Sequence, residues 1–226
     1  MFYGQDLYTS REKNSMKRSI NIITKRAVLA ASLACAISIT ACSQDEAGAD
    51  EDTKDILTKF ALGDTSVLKD GQQEEWYIPD FQSDEFTYEY TLLDLDGDGK
   101  EEMIIQMENQ PEGFSSVFHV EDNKVVCWFS DSLEQTCFDY PLDNGSMVEE
   151  YNYGGSITYT IFKYDATGGT ESIAELFVRE DNNGDESIKC PEYLIDGNEV
   201  SKEKFEQELK SQILDHQLDA SAWTKI

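Results

Sequence analysis

Three aspartates alternate with other residues in one short segment of the chain. Asp94, Asp96 and Asp98 occupy every second position, glycines stand at 97 and 99, and Glu102 follows shortly after. A hard divalent cation takes about six to eight oxygen ligands, and a tight loop can direct alternating carboxylates to one point. Without a cation these carboxylates would repel one another. The spacing therefore predicts a calcium site, since magnesium demands stricter octahedral geometry.

The same segment resembles the first half of an EF-hand, with its three aspartates at positions one, three and five. Ile105 stands where the EF-hand has its closing glutamate, so a helix–loop–helix is not expected. The segment is more similar to the D-x-D-G-D-G-x-x-[DE] loops of integrin-type FG-GAP repeats, which lie between strands. That resemblance implies five ligands: the side chains of Asp94, Asp96, Asp98 and Glu102 and the backbone carbonyl of Lys100.

The loop must be held by β-strands, because apolar residues alternate on both sides of it. Further β-branched and aromatic runs are separated by Gly- and Asn-rich turn pairs, which favours an antiparallel meander without crossover helices. The predicted strands after the loop are Ser116–Val120, Lys124–Phe129, Met147–Tyr153, Ile157–Tyr164 and Ile173–Arg179, followed by a small hairpin over 193–200.

Helices are predicted at both ends of this meander. The first helix is predicted because its apolar residues share one face: Ile56, Leu57, Phe60 and Ala61. Thr53 can cap this helix and Gly63 can end it. Ser201 can cap the second, whose apolar residues recur every four positions: Phe205, Leu209 and Ile213. The expected fold class is α+β, mainly an antiparallel β-sheet meander with a short N-terminal helix and a C-terminal helix.

The N-terminal segment has the outline of a secretory signal, residues 1–41, with translation starting at Met1 or Met16. Its uncharged run, 27–41, is shorter than the roughly 20 residues of a membrane-spanning helix. The run ends in Ile39-Thr40-Ala41-Cys42, which resembles the lipobox of bacterial lipoproteins and implies lipidation of Cys42. The alternative is an ordinary signal with an incidental cysteine. We expect residues 42–53 to form an acidic tether and 54–226 a single domain.

A wider resemblance extends over the chain after the signal. The order of lipobox, helix ending near 60–64, the strand and loop at 90–99 and the element at 193–201 is similar to uncharacterised lipoproteins of gut-type anaerobic bacteria. This resemblance implies a location outside the cytoplasm and a calcium site, and it implies no activity.

Net charge limits the kinds of molecule that the chain can bind, and its cysteines and histidines limit the disulfides and metal sites that it can form. The chain has 46 acidic against 18 basic side chains and a net charge of −28, which disfavours nucleic acid and attracts divalent cations. Cys127, Cys137 and Cys190 allow one disulfide in three ways, of which Cys127–Cys137 is expected first. With His119 and His216 as the only histidines, a zinc site is not expected.

A second acidic segment, 181–186, repeats the alternating oxygens but lacks the second glycine. It favours a turn built on Asn183-Gly184, with a weaker second ion site as the alternative.

Two functions from different classes are consistent with these features. The favoured one is a non-enzymatic, lipid-anchored, calcium-stabilised domain that binds a protein, peptide or glycan. The alternative is a small hydrolase that cleaves cell-wall or host glycans with a carboxylate pair. A pocket with two carboxylates, one of raised pKa, and aromatic walls would favour the hydrolase.

Overall fold

The computed structural model describes residues 46–81, 85–132 and 136–226. The predicted signal segment and Cys42 lie outside the described residues. None of the helices in the described part of the chain has the length and apolar character needed to span a bilayer.

The strands form two antiparallel sheets, which confirms the predicted fold class. The first sheet contains β1 (Tyr88–Leu93), β2 (Glu102–Met107), β3 (Phe114–Glu121) and β4 (Lys124–Ser132). The second contains β5 (Cys137–Pro141), β6 (Met147–Tyr153), β7 (Ser156–Tyr164), β8 (Thr170–Arg179), β9 (Glu192–Ile195) and β10 (Asn198–Glu199). The last strand, β11 (Thr224–Lys225), returns to the first sheet and pairs with β1. Neighbouring strands within each sheet are otherwise consecutive in the chain, as in a meander.

The helices are α1 (Glu46–Ala61), α2 (Gln72–Glu75) and α3 (Lys202–Gln212). Helix α1 begins at Glu46, so the expectation that Thr53 caps it is wrong: Thr53 lies inside the helix, and part of the predicted tether is helical. The end of α1 is as predicted, because Gly63 adopts a φ of 91° just beyond it. The predicted cap of α3 is also confirmed, since Ser201 Oγ accepts from the Lys204 backbone N–H at 3.3 Å.

Three apolar clusters join these elements into layers. Leu57 and Phe60 of α1 pack on one face of the first sheet, against residues such as Phe118. The other face of that sheet meets the second sheet through a cluster that includes Ile104 and Phe162. The far face of the second sheet carries α3 through a third cluster. The order of layers is therefore helix, sheet, sheet and helix.

The expected Cys127–Cys137 disulfide is absent, because Cys127, Cys137 and Cys190 are thiols. Cys127 is buried in the cluster beneath α1, whereas Cys137 begins the second sheet. The two cysteines therefore belong to different sheets, although only a short stretch of sequence separates them.

Candidate metal centre

The loop of three aspartates is closed by the pairing of β1 and β2, whose register places Leu93 opposite Glu102. Inside it, Asp94 accepts hydrogen bonds from the backbone N–H groups of residues 97 and 99, at 2.7 and 3.2 Å. Asp96 Oδ1 accepts from the Asp98 N–H at 2.9 Å, and Asp98 Oδ1 accepts from the Lys100 N–H at 2.8 Å. These bonds curl the backbone so that one oxygen from each of the three aspartates lies within 4.8 Å of the others.

Glycines 97 and 99 allow that curl. Their φ angles are 79° and 88°, a region that side chains strain, and a Cβ at either position would meet nothing within 4 Å. Backbone conformation, and not lack of space, accounts for glycine at both positions.

Glu102 points away from the solvent and into the space between the sheets. Its side chain is 0% exposed. Its Oε2 accepts from the Leu95 N–H at 2.7 Å, and its Oε1 accepts from His119 Nδ1 at 2.9 Å. Burial raises the pKa of Glu102, against the opposing hydrogen bonds from His119 and Leu95. A carboxyl held by two buried donors is fixed in position, since moving it would leave both donors without a partner.

His119 is a member of this site that the sequence analysis did not include. It lies on β3 next to Phe118, which pairs with Met103 of β2, and it is buried. Its ring stacks on Trp128 with centroids 4.3 Å apart and planes 15° apart. His119 reaches Glu102 because of the register between β2 and β3. The sequence of one strand does not specify its register with another strand, so the sequence alone could not predict this contact.

Asp96 connects the aspartate loop to the buried pair. One ligating atom each of Asp96, Glu102 and His119 lies within 4.8 Å of the other two, in addition to the grouping of Asp96 with Asp94 and Asp98. The second oxygen of Asp96, Oδ2, is buried and has no hydrogen-bond partner. A buried carboxylate oxygen without a donor is costly, and a cation bound there would compensate it.

Lys100 supplies an internal positive charge at the rim of the loop. Its Nζ donates to Asp98 Oδ2 at 3.1 Å. Burial acts to raise the pKa of Asp98, but the Lys100 backbone N–H and ammonium outweigh it, so the pKa of Asp98 is lowered. A divalent cation ligated by Asp98 would compete with this ammonium.

The second acidic segment consists of exposed turns. Asp181 Oδ1 accepts from the Asn183 N–H at 2.8 Å, and Asp185 Oδ1 accepts from the Ser187 N–H at 2.9 Å. Asn183 and Gly184 adopt positive φ angles of 51° and 82°. These bonds use the side chains for turn formation, as expected for a segment between β8 and β9.

Another group of ligating side chains crosses β5 and β6. One atom each of Cys137, Asp139 and Glu149 lies within 4.8 Å of the other two, with Asp139 directly opposite Glu149 in the register. None of these three residues was predicted from the sequence to bind a metal.

A pocket of about 270 Å³ lies near the edge strand β5. It is lined by Gln106, Pro111, Phe138, Tyr140, Pro141, Glu150, Gln217, Leu218 and Trp223. Among these residues Glu150 is the one carboxylate, and burial raises its pKa. The lining thus meets part of the condition set for a hydrolase, namely aromatic walls and an acid of raised pKa, but not the carboxylate pair.

No family model matches the chain, and no curated protein or solved structure is significantly similar to it.

Proposed function

We propose that this chain is an exported, lipid-anchored, non-enzymatic binding domain that is stabilised by calcium in the β1–β2 loop. The observation that carries the proposal is the buried Oδ2 of Asp96, which has no hydrogen-bond donor although it lies among other carboxylates. The ligands would be the side chains of Asp94, Asp96, Asp98 and Glu102 and the carbonyl of Lys100.

The chemistry of this ligand set favours a hard cation. All five proposed ligand atoms are oxygens, which calcium prefers, whereas zinc prefers sulfur and nitrogen. We assign His119 a positioning role, because its hydrogen bond fixes the carboxyl of Glu102. Bound calcium would also neutralise charge in a chain whose net charge is −28.

Calcium bound to the folded state alone stabilises it by mass action. At a calcium concentration of 100 times Kd the gain is about 2.7 kcal/mol. For a domain of this size, that corresponds to an increase in melting temperature of about 5–10 °C.

A calcium titration of the purified protein tests the metal site. We expect a calorimetric binding heat and a higher melting temperature in millimolar calcium. Asp96→Asn should weaken the affinity for calcium at least about tenfold and reduce the increase in melting temperature. The matched control is Asp64→Asn, since Asp64 accepts from the Ser66 N–H at 3.0 Å in an exposed turn, as Asp96 accepts from the Asp98 N–H, but lies outside the proposed site. Absence of both heat and thermal shift in the wild-type protein would refute the proposed calcium site.

Export and anchoring are supported by the sequence of residues 1–42 and are tested separately. In a bacterial host, we expect labelled fatty acid to be incorporated into the wild-type chain and not into Cys42→Ser. Secretion without acylation would indicate an ordinary signal peptide.

The hydrolase alternative has less support. Glycoside hydrolysis requires two carboxylates about 5–10 Å apart on either side of the scissile bond. Within the described residues that line the pocket, Glu150 has no carboxylate companion. A pocket with one acid and aromatic walls is better suited to holding a ligand than to cleaving it.

A further inference from the structure

The pocket near β5 is built around Glu150. In the sheet register, Glu150 of β6 lies between Phe138 of β5 and Tyr159 of β7. Tyr140 projects to the same side, two residues beyond Phe138, and the two rings have centroids 5.0 Å apart. Trp223, from the segment before β11, completes the lining. The carboxyl group therefore has aromatic neighbours from three separate segments.

Glu150 has no hydrogen-bond or ion-pair partner within the described part of the chain, and no basic side chain lines the pocket. Other half-buried acids differ: Glu192, for example, pairs with Arg179 at 3.0 Å. Burial raises the pKa of Tyr159, and the charge of Glu150 raises it further. The local field is therefore negative and is not neutralised by the protein.

We propose that this pocket binds an organic ammonium group, with the cation against the aromatic faces and the carboxylate of Glu150 as its counter-ion. Aromatic faces attract cations. An ammonium ion would also be drawn to a protein of net charge −28, which repels anions. A neutral ring such as a sugar could stack on the same side chains, but it would leave the charge of Glu150 uncompensated.

The size of the pocket limits the ligand. A volume of about 270 Å³ is slightly below the range of typical small-molecule sites, which is about 300–1,000 Å³. It suits a single ammonium head, such as that of choline or the end of a lysine side chain. An ammonium ion is thus a ligand class for the proposed binding domain. This ligand class rests on the proposed function only in that the domain binds its ligand and does not cleave it. Binding in this pocket requires no calcium.

The test compares two ligands of the same shape. Choline carries the charge, and 3,3-dimethyl-1-butanol is its uncharged analogue. By calorimetry on the full chain, we expect choline to bind at least about tenfold more tightly than the alcohol. Equal affinity of the two ligands, or no binding of choline, would overturn the proposal.

Variants locate the site. Glu150→Gln should reduce the preference for choline over the alcohol, leaving only the part that the aromatic faces supply, and Trp223→Ala should weaken binding of both. The matched control is Tyr153→Ala, because Tyr153 is on the same strand but on the opposite face and is 65% exposed. An unchanged preference in Glu150→Gln would contradict the assignment of the counter-ion. Melting temperatures of the three variants verify that each is folded.

Two further arms separate the source of the ammonium and the role of calcium. N-acetyl-lysine methylamide replaces choline as ligand. Tighter binding of the lysine derivative supports a peptide source, whereas tighter binding of choline supports a small quaternary ammonium compound. Each titration is repeated in calcium and in chelator. Choline binding that persists in chelator supports the pocket even if the calcium site fails its own test, and binding lost in chelator overturns the claim that the pocket is independent of the metal.

Discussion

Replacement of Glu102 by alanine tests the buried arrangement that joins the β1–β2 loop to the rest of the fold. The change removes the acceptor of the Leu95 N–H, at 2.7 Å, and of His119 Nδ1, at 2.9 Å. Each buried donor left without a partner costs about 1–3 kcal/mol. Breaking one partner of a buried pair typically costs about 3–5 kcal/mol in total. We therefore expect Glu102→Ala to lower the free energy of unfolding by about 3–5 kcal/mol, a large share of the roughly 5–15 kcal/mol of a typical domain.

Urea denaturation in chelator measures this loss, and the neighbouring residue provides the control. Glu101 pairs with Lys54 at 3.0 Å on the surface, so Glu101→Ala should cost no more than about 1 kcal/mol. Equal losses in Glu101→Ala and Glu102→Ala would refute the argument from burial. In calcium the difference between Glu102→Ala and wild type should widen, because the variant lacks one proposed ligand and gains less from the ion.

Four further changes test other parts of the structure. Gly145→Ala should be more destabilising than Gly197→Ala in urea denaturation, because both glycines have φ near 75° but a Cβ at Gly145 would lie 2.6 Å from the backbone carbonyl oxygen of Asp94. Gly197→Ala should cost only the strain of the left-handed region, about 1–2 kcal/mol. Phe60→Ala should cost about 3–5 kcal/mol, since the ring is fully buried between α1 and the first sheet, and thermal denaturation will measure the loss. The thiol of Cys127 should resist iodoacetamide in the native protein and react after unfolding, because burial raises its pKa well above the usual value. Burial also raises the pKa of Glu150, so the native state binds more protons than the unfolded state and loses stability as pH rises through that pKa. Glu150→Gln should therefore be more stable than wild type at pH 7. In denaturation measured as a function of pH, the difference should vanish below about pH 4.

Local patterns in the sequence were sufficient for most elements. The strand predicted at Met147–Tyr153 has those bounds in the structure, because both of its ends are marked by turn residues. The start of α1 was predicted wrongly at Thr53. The acidic residues before Thr53 continue the helix, and charge density alone does not distinguish a solvated helix from a tether.

Part of the candidate metal centre could likewise be predicted from the sequence, and part of it depends on the tertiary structure. Asp94, Asp96 and Asp98 are brought together as their spacing predicted, because a tight loop is a local structure. The burial of Glu102 and its pairing with His119 depend on the β2–β3 register, which no single segment contains. The pocket at Glu150 likewise combines β5, β6 and a segment near the C-terminus.

The sequence by itself determined the acidic loop, the strands on either side and the helices at both ends, because each is specified by residues close together in the chain. The tertiary structure decided that the strands divide into two facing sheets and that Cys127 and Cys137 fall in different sheets as free thiols. It also decided that Glu150 lies among aromatic rings, with no basic side chain among the described residues that line the pocket. The physical reason is that burial and strand register result from packing between distant segments, whereas periodicity and turn chemistry act within a few residues.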